Sequence, residues 1–240
     1  MSIASELNRL LQAKSDLATS IENKGVTVPA ATTIDGYAAL VDQIQTGGGT
    51  NHPIVIEYLE GTGTQWINTG ITNITATDTF SITAAKTSTT SAMAFGWSTT
   101  SYYNLNLHHA GQQKIELAWG TNGKVVRTDL NEINTFHTYT TAIASSKVYF
   151  YVDGASKGYV AAPSDSSNHT IYMFARQTNG EAALISPMKI KHFIYFRDYM
   201  PLRYFIPVRV GQVGYMLDIV SGTLFGNQGT GSFTLGPDVI

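Results

Sequence analysis

The sequence contains no cysteine in its 240 residues. Disulfide bonds, zinc–thiolate sites and cysteine nucleophiles are therefore excluded. Small secreted domains usually depend on disulfides. We therefore expect this chain to fold in a reducing compartment, or to gain its stability from a large core and from oligomerisation.

Charged residues are scarce, at 13% of the chain against about 25% in an average protein. Lysine and arginine are scattered and the net charge is −2, so the sequence has no basic patch to neutralise phosphates. This pattern predicts no nucleic-acid partner. Hydrophobic residues make up 43% of the chain, which is enough for a core, and the abundant Thr, Ser, Asn and Gly favour a neutral, β-rich surface.

Long apolar segments are also missing. No run approaches the roughly 18 apolar residues that a membrane span needs, which predicts no membrane insertion. The first residues include Glu6 and Arg9 and lack the apolar core of a signal peptide. If the protein acts outside a cell, we expect it to leave by lysis or through a dedicated exporter.

Residues 1–46 have the pattern of a helical segment. Six positions alternate four and three residues apart and form a heptad seam: Ile3, Leu7, Leu10, Lys14, Leu17 and Ile21. Ser2 or Ser5 is the predicted N-cap, and Gly25 is predicted to end the helix near Lys24. Lys14 falls at an a position, where a polar residue usually fixes register or oligomer number at a cost in stability.

A second helix is predicted from Ile34 to Ile44, with Thr33 as its cap. Two interpretations of the segment are open: a helical hairpin packed on its own β domain, or a coiled coil shared between chains. A lone helix of about 20 residues cannot bury its seam by itself, so we favour a homo-oligomer, preferably a trimer. The glycine run 47–49 marks a flexible linker, 47–52, before the β domain at 53–240.

From Pro53 onward the hydrophobic pattern alternates with a period of two, which is typical of strands. The predicted strands are 54–59, 66–69, 79–84, 114–119, 147–152, 169–174 and 188–196. Turn sequences separate them, among them Asp153-Gly154 and Asn179-Gly180. Many short strands without intervening helices predict a mainly β fold, an antiparallel jelly-roll β-sandwich preceded by the short helical segment.

Catalytic patterns are weak. A β-sandwich glycosidase needs two neighbouring carboxylates, but Glu57 and Glu60 are three residues apart and would face opposite ways along a strand, and Glu116 stands alone. The Gly-x-Ser-x-Gly elbow is absent. His108 and His109 are adjacent and would also diverge. The sequence therefore predicts no enzyme, no cofactor and no metal site, although a calcium site assembled from separate loops stays open.

Aromatic and amide side chains are the best candidates for ligand binding. Sugars usually stack on an exposed aromatic ring while polar groups hold their hydroxyls. The predicted glycan-binding residues are Trp97, Tyr102, Tyr103, Asn104, Arg176 and Asn179. For Trp97, Tyr102 and Tyr103 a core position is an equal alternative, and for Trp66 and Trp119 we favour core positions.

Two parts of the sequence resemble known families. The stretch from Leu7 to Leu17, continued by 21–26 and 37–41, is similar to the amino-terminal segment of tailed-bacteriophage virion proteins. Residues 58–70, with 148–154 and the closing stretches 205–209, 214–218 and 226–233, resemble phage and gut-bacterial domains of the concanavalin A-like (laminin G-like) superfamily. The resemblance implies a jelly-roll sandwich on a phage particle, and it carries over no ligand. The catalytic carboxylate motif of the glucanase relatives is missing, which favours binding over hydrolysis.

These observations predict a virion fibre or decoration protein, made in the bacterial host cytoplasm and placed on the capsid or tail surface. Its amino-terminal segment would contact other copies and other virion proteins, and its sandwich would adhere to host-surface or environmental glycans. Joining several weak lectin sites would raise avidity. The alternatives are a purely structural surface protein and a glycan-degrading enzyme of the same fold.

Overall fold

The structure is a computed structural model of the chain. It describes residues 3–22, 26–41, 52–75, 77–89, 92–98, 101–109, 114–121, 125–129, 132–163 and 168–239. The chain divides into two compact units, Met1–His52 and Pro53–Ile240. The glycine run of the predicted linker lies outside the described residues.

The first unit is built on the predicted amino-terminal helix. Helix α1 spans Ile3–Glu22, and Ser5, one of the two predicted N-caps, lies inside it. The second helix, α2, is described over Gly36–Val41, so it begins two residues later than predicted, after turns in which Gly36 and Tyr37 donate to the carbonyls of Thr33 and Ile34. The remainder of the predicted second helix and Gly25 lie outside the described residues.

Only one end of the heptad seam is covered within this unit. Ile21 and Tyr37 are buried, and the Tyr37 hydroxyl donates to the Lys14 carbonyl at 3.5 Å. Farther toward the amino terminus the seam is open: Ile3 is 90% exposed and Leu7 57%. The helix therefore carries an unpartnered apolar stripe, and no described helix is both long and apolar enough to cross a membrane.

The second unit is a sandwich of short strands. In chain order they are β1 (Ile54–Val55), β2 (Leu59–Thr62), β3 (Ile67–Asn68), β4 (Thr79–Lys86), β5 (Met93–Ser98), β6 (Ser101–His109), β7 (Lys114–Thr121), β8 (Val125–Asp129), β9 (His137–Ala144), β10 (Lys147–Val152), β11 (Ala155–Ala161), β12 (Tyr172–Met173), β13 (Arg176–Thr178), β14 (Glu181–Ala183), β15 (Pro187–Arg197), β16 (Met200–Val210), β17 (Val213–Asp218), β18 (Thr223–Phe225) and β19 (Thr234–Leu235).

These strands form two sheets. The larger sheet runs in the order β11-β10-β9-β4-β15-β16-β17-β18, with β1, β2 and β19 attached beside this path. The smaller sheet runs β14-β13-β5-β6-β7-β8, with β12 and β3 beside it. Among the described pairs only β13 and β5 run parallel. The predicted mainly β, antiparallel sandwich with a helical segment before it is confirmed.

A single aromatic core lies between the two sheets. Phe95 of the smaller sheet meets Phe80 at 4.7 Å, edge to face, and Phe193 at 4.8 Å, stacked, from the larger sheet. Trp119 is fully buried in the same cluster, as the sequence predicted. Because aromatic residues carry much of the apolar area that folding removes from water, these contacts hold the sheets face to face.

A buried ion pair fixes one end of the sandwich. The Asp78 carboxylate is fully buried and receives hydrogen bonds from Arg197 Nη2 at 2.9 Å and from the Tyr195 hydroxyl at 3.0 Å. Burial and the neighbouring Asp78 charge raise the pKa of Tyr195 well above its ordinary value. The tyrosine therefore stays a neutral donor to the carboxylate.

Candidate functional site

The central strands of the smaller sheet divide their side chains between two faces. One face carries Phe95, Trp97, Tyr103 and Trp119, which belong to the core cluster. The other, here called the outer face of the smaller sheet, points away from the core because side chains alternate along a strand. Register places Gly96, Asn104 and Ala118 in one row across this face.

Two of the predicted glycan-binding rings lie on the core face. Trp97 is 3% exposed and Tyr103 is fully buried, and their rings stack at a centroid distance of 5.4 Å. They pair directly across β5 and β6, so both point into the sandwich. A sugar therefore has no access to either ring, and the core alternative applies to this pair.

Three other predicted residues share the outer face. Tyr102 is half-buried and Asn104 is 2% exposed on β6. Arg176 lies two residues before Thr178, which pairs with Ser98 in the row of Tyr102. These three side chains therefore belong to one surface of the sheet.

Asn179, the sixth predicted residue, lies apart from the sheet surface. It is exposed in the turn between β13 and β14, with φ +51°, and Gly180 follows with φ +93°. A two-residue turn of positive φ is the form that hairpins favour. The turn conformation therefore explains the presence of Asn179 at this position, at the rim of the outer face.

The outer face also holds an aromatic pair that the sequence did not reveal. Trp66 and Tyr172 stack at a centroid distance of 4.3 Å and an interplanar angle of 28°. Trp66 is half-buried and lies outside the core cluster, so its predicted core position is wrong. Tyr172 pairs with Gly96, which pairs with Asn104, so the aromatic pair lies in the same row as the amide.

A gap separates the aromatic pair from Asn104. Gly96 has no side chain and a φ of +154°, and a Cβ at this position would collide with the side chain and backbone of Asn104. Tyr172 and Asn104 are two strand spacings apart, about 10 Å. Tyr172 is 7% exposed and Asn104 2%, so a sugar has no access to the Asn104 amide, and the half-buried Trp66 offers the accessible ring of the aromatic pair.

The hydroxyl of Tyr172 is directed toward the neighbouring hairpin, where it donates to the Gly180 carbonyl at 3.3 Å. Burial, and to a smaller extent the charge of Glu181, raise the pKa of Tyr172. The ring is therefore neutral and fixed in orientation. On its other side Trp66 is held by Asn227, whose Oδ1 accepts from the Trp66 amide at 3.3 Å.

An ion pair lies farther along the same face. Glu116 Oε2 accepts from Arg127 Nε at 2.7 Å and lies 2.7 Å from Arg127 Nη2. Glu116 also pairs across the sheet with Asn106, which is buried. A carboxylate held by a guanidinium is positioned as a structural charge and is a poor proton donor to a leaving group.

A second titratable cluster lies at one end of the larger sheet. His137 Nδ1 is 2.6 Å from Asp153 Oδ2, and the Thr138 amide donates to Asp153 Oδ1 at 2.8 Å. Burial alone would raise the pKa of Asp153, but the hydrogen bonds from His137 and Thr138 outweigh it and lower that pKa. Asp153 and Gly154 form the predicted hairpin turn, with φ +50° and +78°. No group of three or more His, Asp or Glu side chains in the described ranges is arranged to hold a metal.

Comparison with solved structures identifies the fold. The chain is similar to a protein from Bacteroides ovatus described as a candidate carbohydrate-binding protein, with a TM-score of 0.56 and 12% identity. That alignment covers 78% of this chain and 61% of the other, so the chain spans about three fifths of the length of that protein. A heptameric SAP-like pentraxin from Limulus polyphemus aligns with a TM-score of 0.48 and 8% identity, over 78% of this chain and 94% of the pentraxin.

At these identities the similarity concerns the fold. No protein-family model and no curated protein matches the sequence. The second unit is a two-sheet, mainly antiparallel β-sandwich, as the sequence predicted.

Proposed function

We propose that this protein is a structural component of a bacteriophage virion, a fibre or decoration protein that displays a lectin-like sandwich for adhesion to glycans. The outer face of the smaller sheet is its binding surface. The amino-terminal helix joins copies of the chain into an oligomer, for which we favour a trimer, and attaches them to other virion proteins. The protein is made in the host cytoplasm, ends on the particle surface, and catalyses no reaction.

The observation that carries the binding function is the composition of the outer face. It combines an accessible aromatic ring with hydroxyl and guanidinium groups, and sugar sites use this combination because a pyranose has both apolar and hydroxyl-bearing faces. The half-buried Trp66 offers a ring, and Tyr102 and Arg176 supply polar groups on the same sheet surface. The similar fold of a protein described as carbohydrate-binding supports the same assignment.

The open seam of α1 supports the oligomer. Leu10 is 50% exposed and Leu17 is 42% exposed on a helix whose apolar positions follow a heptad. Exposed apolar stripes at this spacing are stabilised when they pack against copies of themselves. Several sandwiches on one particle would then bind a repetitive glycan surface with high avidity.

Hydrolysis is the less favoured alternative. Glu116 is the buried carboxylate on the outer face, and its ion pair with Arg127 directs it to a structural role. Incubating the protein with cell-wall polysaccharides and measuring reducing ends tests this point. If the parent protein releases reducing ends and a Glu116→Gln variant does not, the protein is a glycan-degrading enzyme and the adhesive function is contradicted.

A glycan array tests the binding site. We expect binding by the full chain and a loss of at least about tenfold in apparent affinity for Trp66→Leu and for Tyr102→Ala, because stacking and a side-chain hydrogen bond are each lost. Tyr199→Ala is the matched control, since Tyr199 is 74% exposed at the tip between β15 and β16. An array without any signal would leave a surface protein without ligand and contradict the adhesive function.

Labelling intact particles tests the location. An antibody fragment raised against residues 53–240 is expected to decorate the outside of the virion in electron micrographs. Particles that lack the protein, although the gene is expressed in the infected host, would contradict the virion assignment and leave the array result untouched.

A further inference from the structure

The opposite side of the sandwich carries a second set of aromatic residues. Along β10, Val148, Phe150 and Val152 point into the core, so Lys147, Tyr149 and Tyr151 point outward from the larger sheet. On the neighbouring edge strand β11, Tyr159 pairs directly with Tyr149. We call these four outward side chains, Lys147, Tyr149, Tyr151 and Tyr159, the tyrosine surface.

The tyrosine surface is open to solvent. Tyr159 is 52% exposed, and the other three side chains are half-buried. Its neighbours on β9 and β11 are small: Ala142 pairs with Tyr149, while Ala144 and Ala161 pair with Lys147. Because these alanines are exposed and short, they leave the edges of the rings uncovered.

Lys147 is positioned by an aromatic ring. Its Nζ lies 3.9 Å from the centroid of Tyr159, a cation–π contact, and Tyr159 meets Tyr149 at 5.5 Å. None of the ion pairs found in the described part of the chain includes Lys147. The ammonium is therefore held at the surface beside two rings without a carboxylate to neutralise it.

We infer that the tyrosine surface is a second glycan-binding site, specific for acidic polysaccharides. The rings of Tyr149 and Tyr151 supply apolar surface for pyranose rings, and the Lys147 ammonium pairs with a carboxylate on the same or the next sugar. This chemistry differs from that of the outer face of the smaller sheet, where the buried Glu116 carboxylate is already paired with Arg127. The two sites lie on opposite faces of the sandwich, with the aromatic core between them.

Non-specific charge attraction could also bring an acidic polymer to the protein. The chain is acidic overall, with a net charge of −2, so non-specific attraction to a polyanion is weak. Specific binding requires both the ring surface and the ammonium. The experiment must therefore separate an acidic sugar polymer from a neutral one and from an acidic polymer without rings.

Affinity gel electrophoresis of the full chain makes this separation. We expect polygalacturonate in the gel to retard the protein, and dextran and polyglutamate to retard it far less. Lys147→Gln should weaken the interaction with polygalacturonate about tenfold, the scale of one lost charge-assisted hydrogen bond, and Lys147→Arg should retain it. Tyr149→Leu, which keeps apolar bulk and removes the ring, should weaken it as well.

Two matched controls make the result specific. Lys157→Gln removes an exposed lysine from the same edge strand, and Trp66→Leu alters only the outer face of the smaller sheet, so both should be retarded like the parent protein. Equal retardation in polyglutamate and polygalacturonate, equal losses for Lys147→Gln and Lys157→Gln, or no retardation at all would each overturn the inference. Loss of array binding by Trp66→Leu with retained polygalacturonate binding would show that the two sites act separately.

Discussion

At the scale of single residues, the buried Asp78 carboxylate is a sensitive position. Removing its charge leaves the Arg197 guanidinium without its ion-pair partner in a partly buried site, and it leaves the Tyr195 hydroxyl with a weaker acceptor. Breaking a buried ion pair from one side usually costs about 3–5 kcal/mol. We expect Asp78→Asn to lower the free energy of unfolding by that order, as measured by urea denaturation.

The exposed pair of Arg209 and Asp238 provides the comparison for this prediction. Its hydrogen bonds are shorter than those of Asp78, at 2.7 Å, but the pair lies at the surface, where solvent screens the attraction. Asp238→Asn should therefore change the unfolding midpoint very little. Similar losses for Asp78→Asn and Asp238→Asn would mean that burial does not decide the strength of these pairs.

His192 gives the sandwich a pH dependence on the acid side of neutrality. Burial lowers the pKa of His192 below its ordinary value of 6.5, and its Nε2 lies 3.3 Å from Thr83 Oγ1. The folded state therefore favours the neutral ring. Its contribution to stability is complete above pH 6.5 and is lost as the pH falls from there through the lower folded pKa.

Replacing His192 by Gln removes this titration and keeps a polar side chain beside Thr83. We expect the free energy of unfolding of the parent protein to fall between pH 7.5 and pH 5 more steeply than that of His192→Gln, in matched urea titrations. Parallel pH profiles for the two proteins would show that His192 has the same pKa in both states.

At the scale of strands, some elements could be read directly from the sequence. β10 occupies the predicted residues 147–152, and the positive φ angles of Asp153 and Gly154 form the predicted turn. The longest unpredicted strand is β16, at Met200–Val210. Pro201 and Pro207 interrupt its pattern, and proline usually disfavours a strand between two others, so only tertiary pairing with β15 and β17 reveals it.

The candidate site shows the same limit. Alternation along β6 separates Tyr103 and Leu105, which are buried in the core, from Tyr102 and Asn104 on the outer face, and this signal was present in the sequence. The pairing of Trp66 with Tyr172 was not, because β3 and β12 are joined only by the folded sheet. Local patterns predict which face a side chain takes, whereas distant partners require the topology.

Gly96 links the strands to the site. A methyl group at this position would collide with Asn104 across the sheet, and the φ of +154° disfavours other residues. We expect Gly96→Ala to destabilise the protein by about 1–3 kcal/mol, the usual cost of overpacking, and to weaken glycan binding because β6, which carries Tyr102, must move. Thermal and urea denaturation with array binding measure the two effects.

The control for this strand prediction is Gly180→Ala, where φ is also positive, at +93°, but a Cβ would meet nothing within 4 Å. Gly180→Ala therefore measures the cost of backbone strain alone, without a collision of the added methyl group. The double variant Gly96→Ala with Asn104→Gly should recover part of the lost stability, since the colliding side chain is gone. Strict additivity of the two changes would argue against the contact.

At the scale of the whole molecule, the unpaired stripe on α1 predicts how many copies of the chain associate. Burying an apolar side chain contributes about 1.5–3 kcal/mol, and Leu7 and Leu10 are both at least half-exposed on the seam. In a coiled coil each would insert between residues of the neighbouring copies, and no polar residue other than Lys14 lies on the seam to weaken the contact. Association should therefore depend on the seam, and Leu7 and Leu10 lie within it.

Multi-angle light scattering of the full chain tests this dependence. We expect an oligomer, preferably a trimer, for the parent protein and a folded monomer for Leu7→Asp with Leu10→Asp, because a charge buried in the seam costs far more than the packing returns. Thr19→Asp places the same charge on the opposite side of α1, where Thr19 is exposed, and should leave the oligomer intact. A parent protein that is already monomeric at micromolar concentration would remove the basis for avidity, and glycan adhesion would then have to rest on the affinity of one sandwich alone.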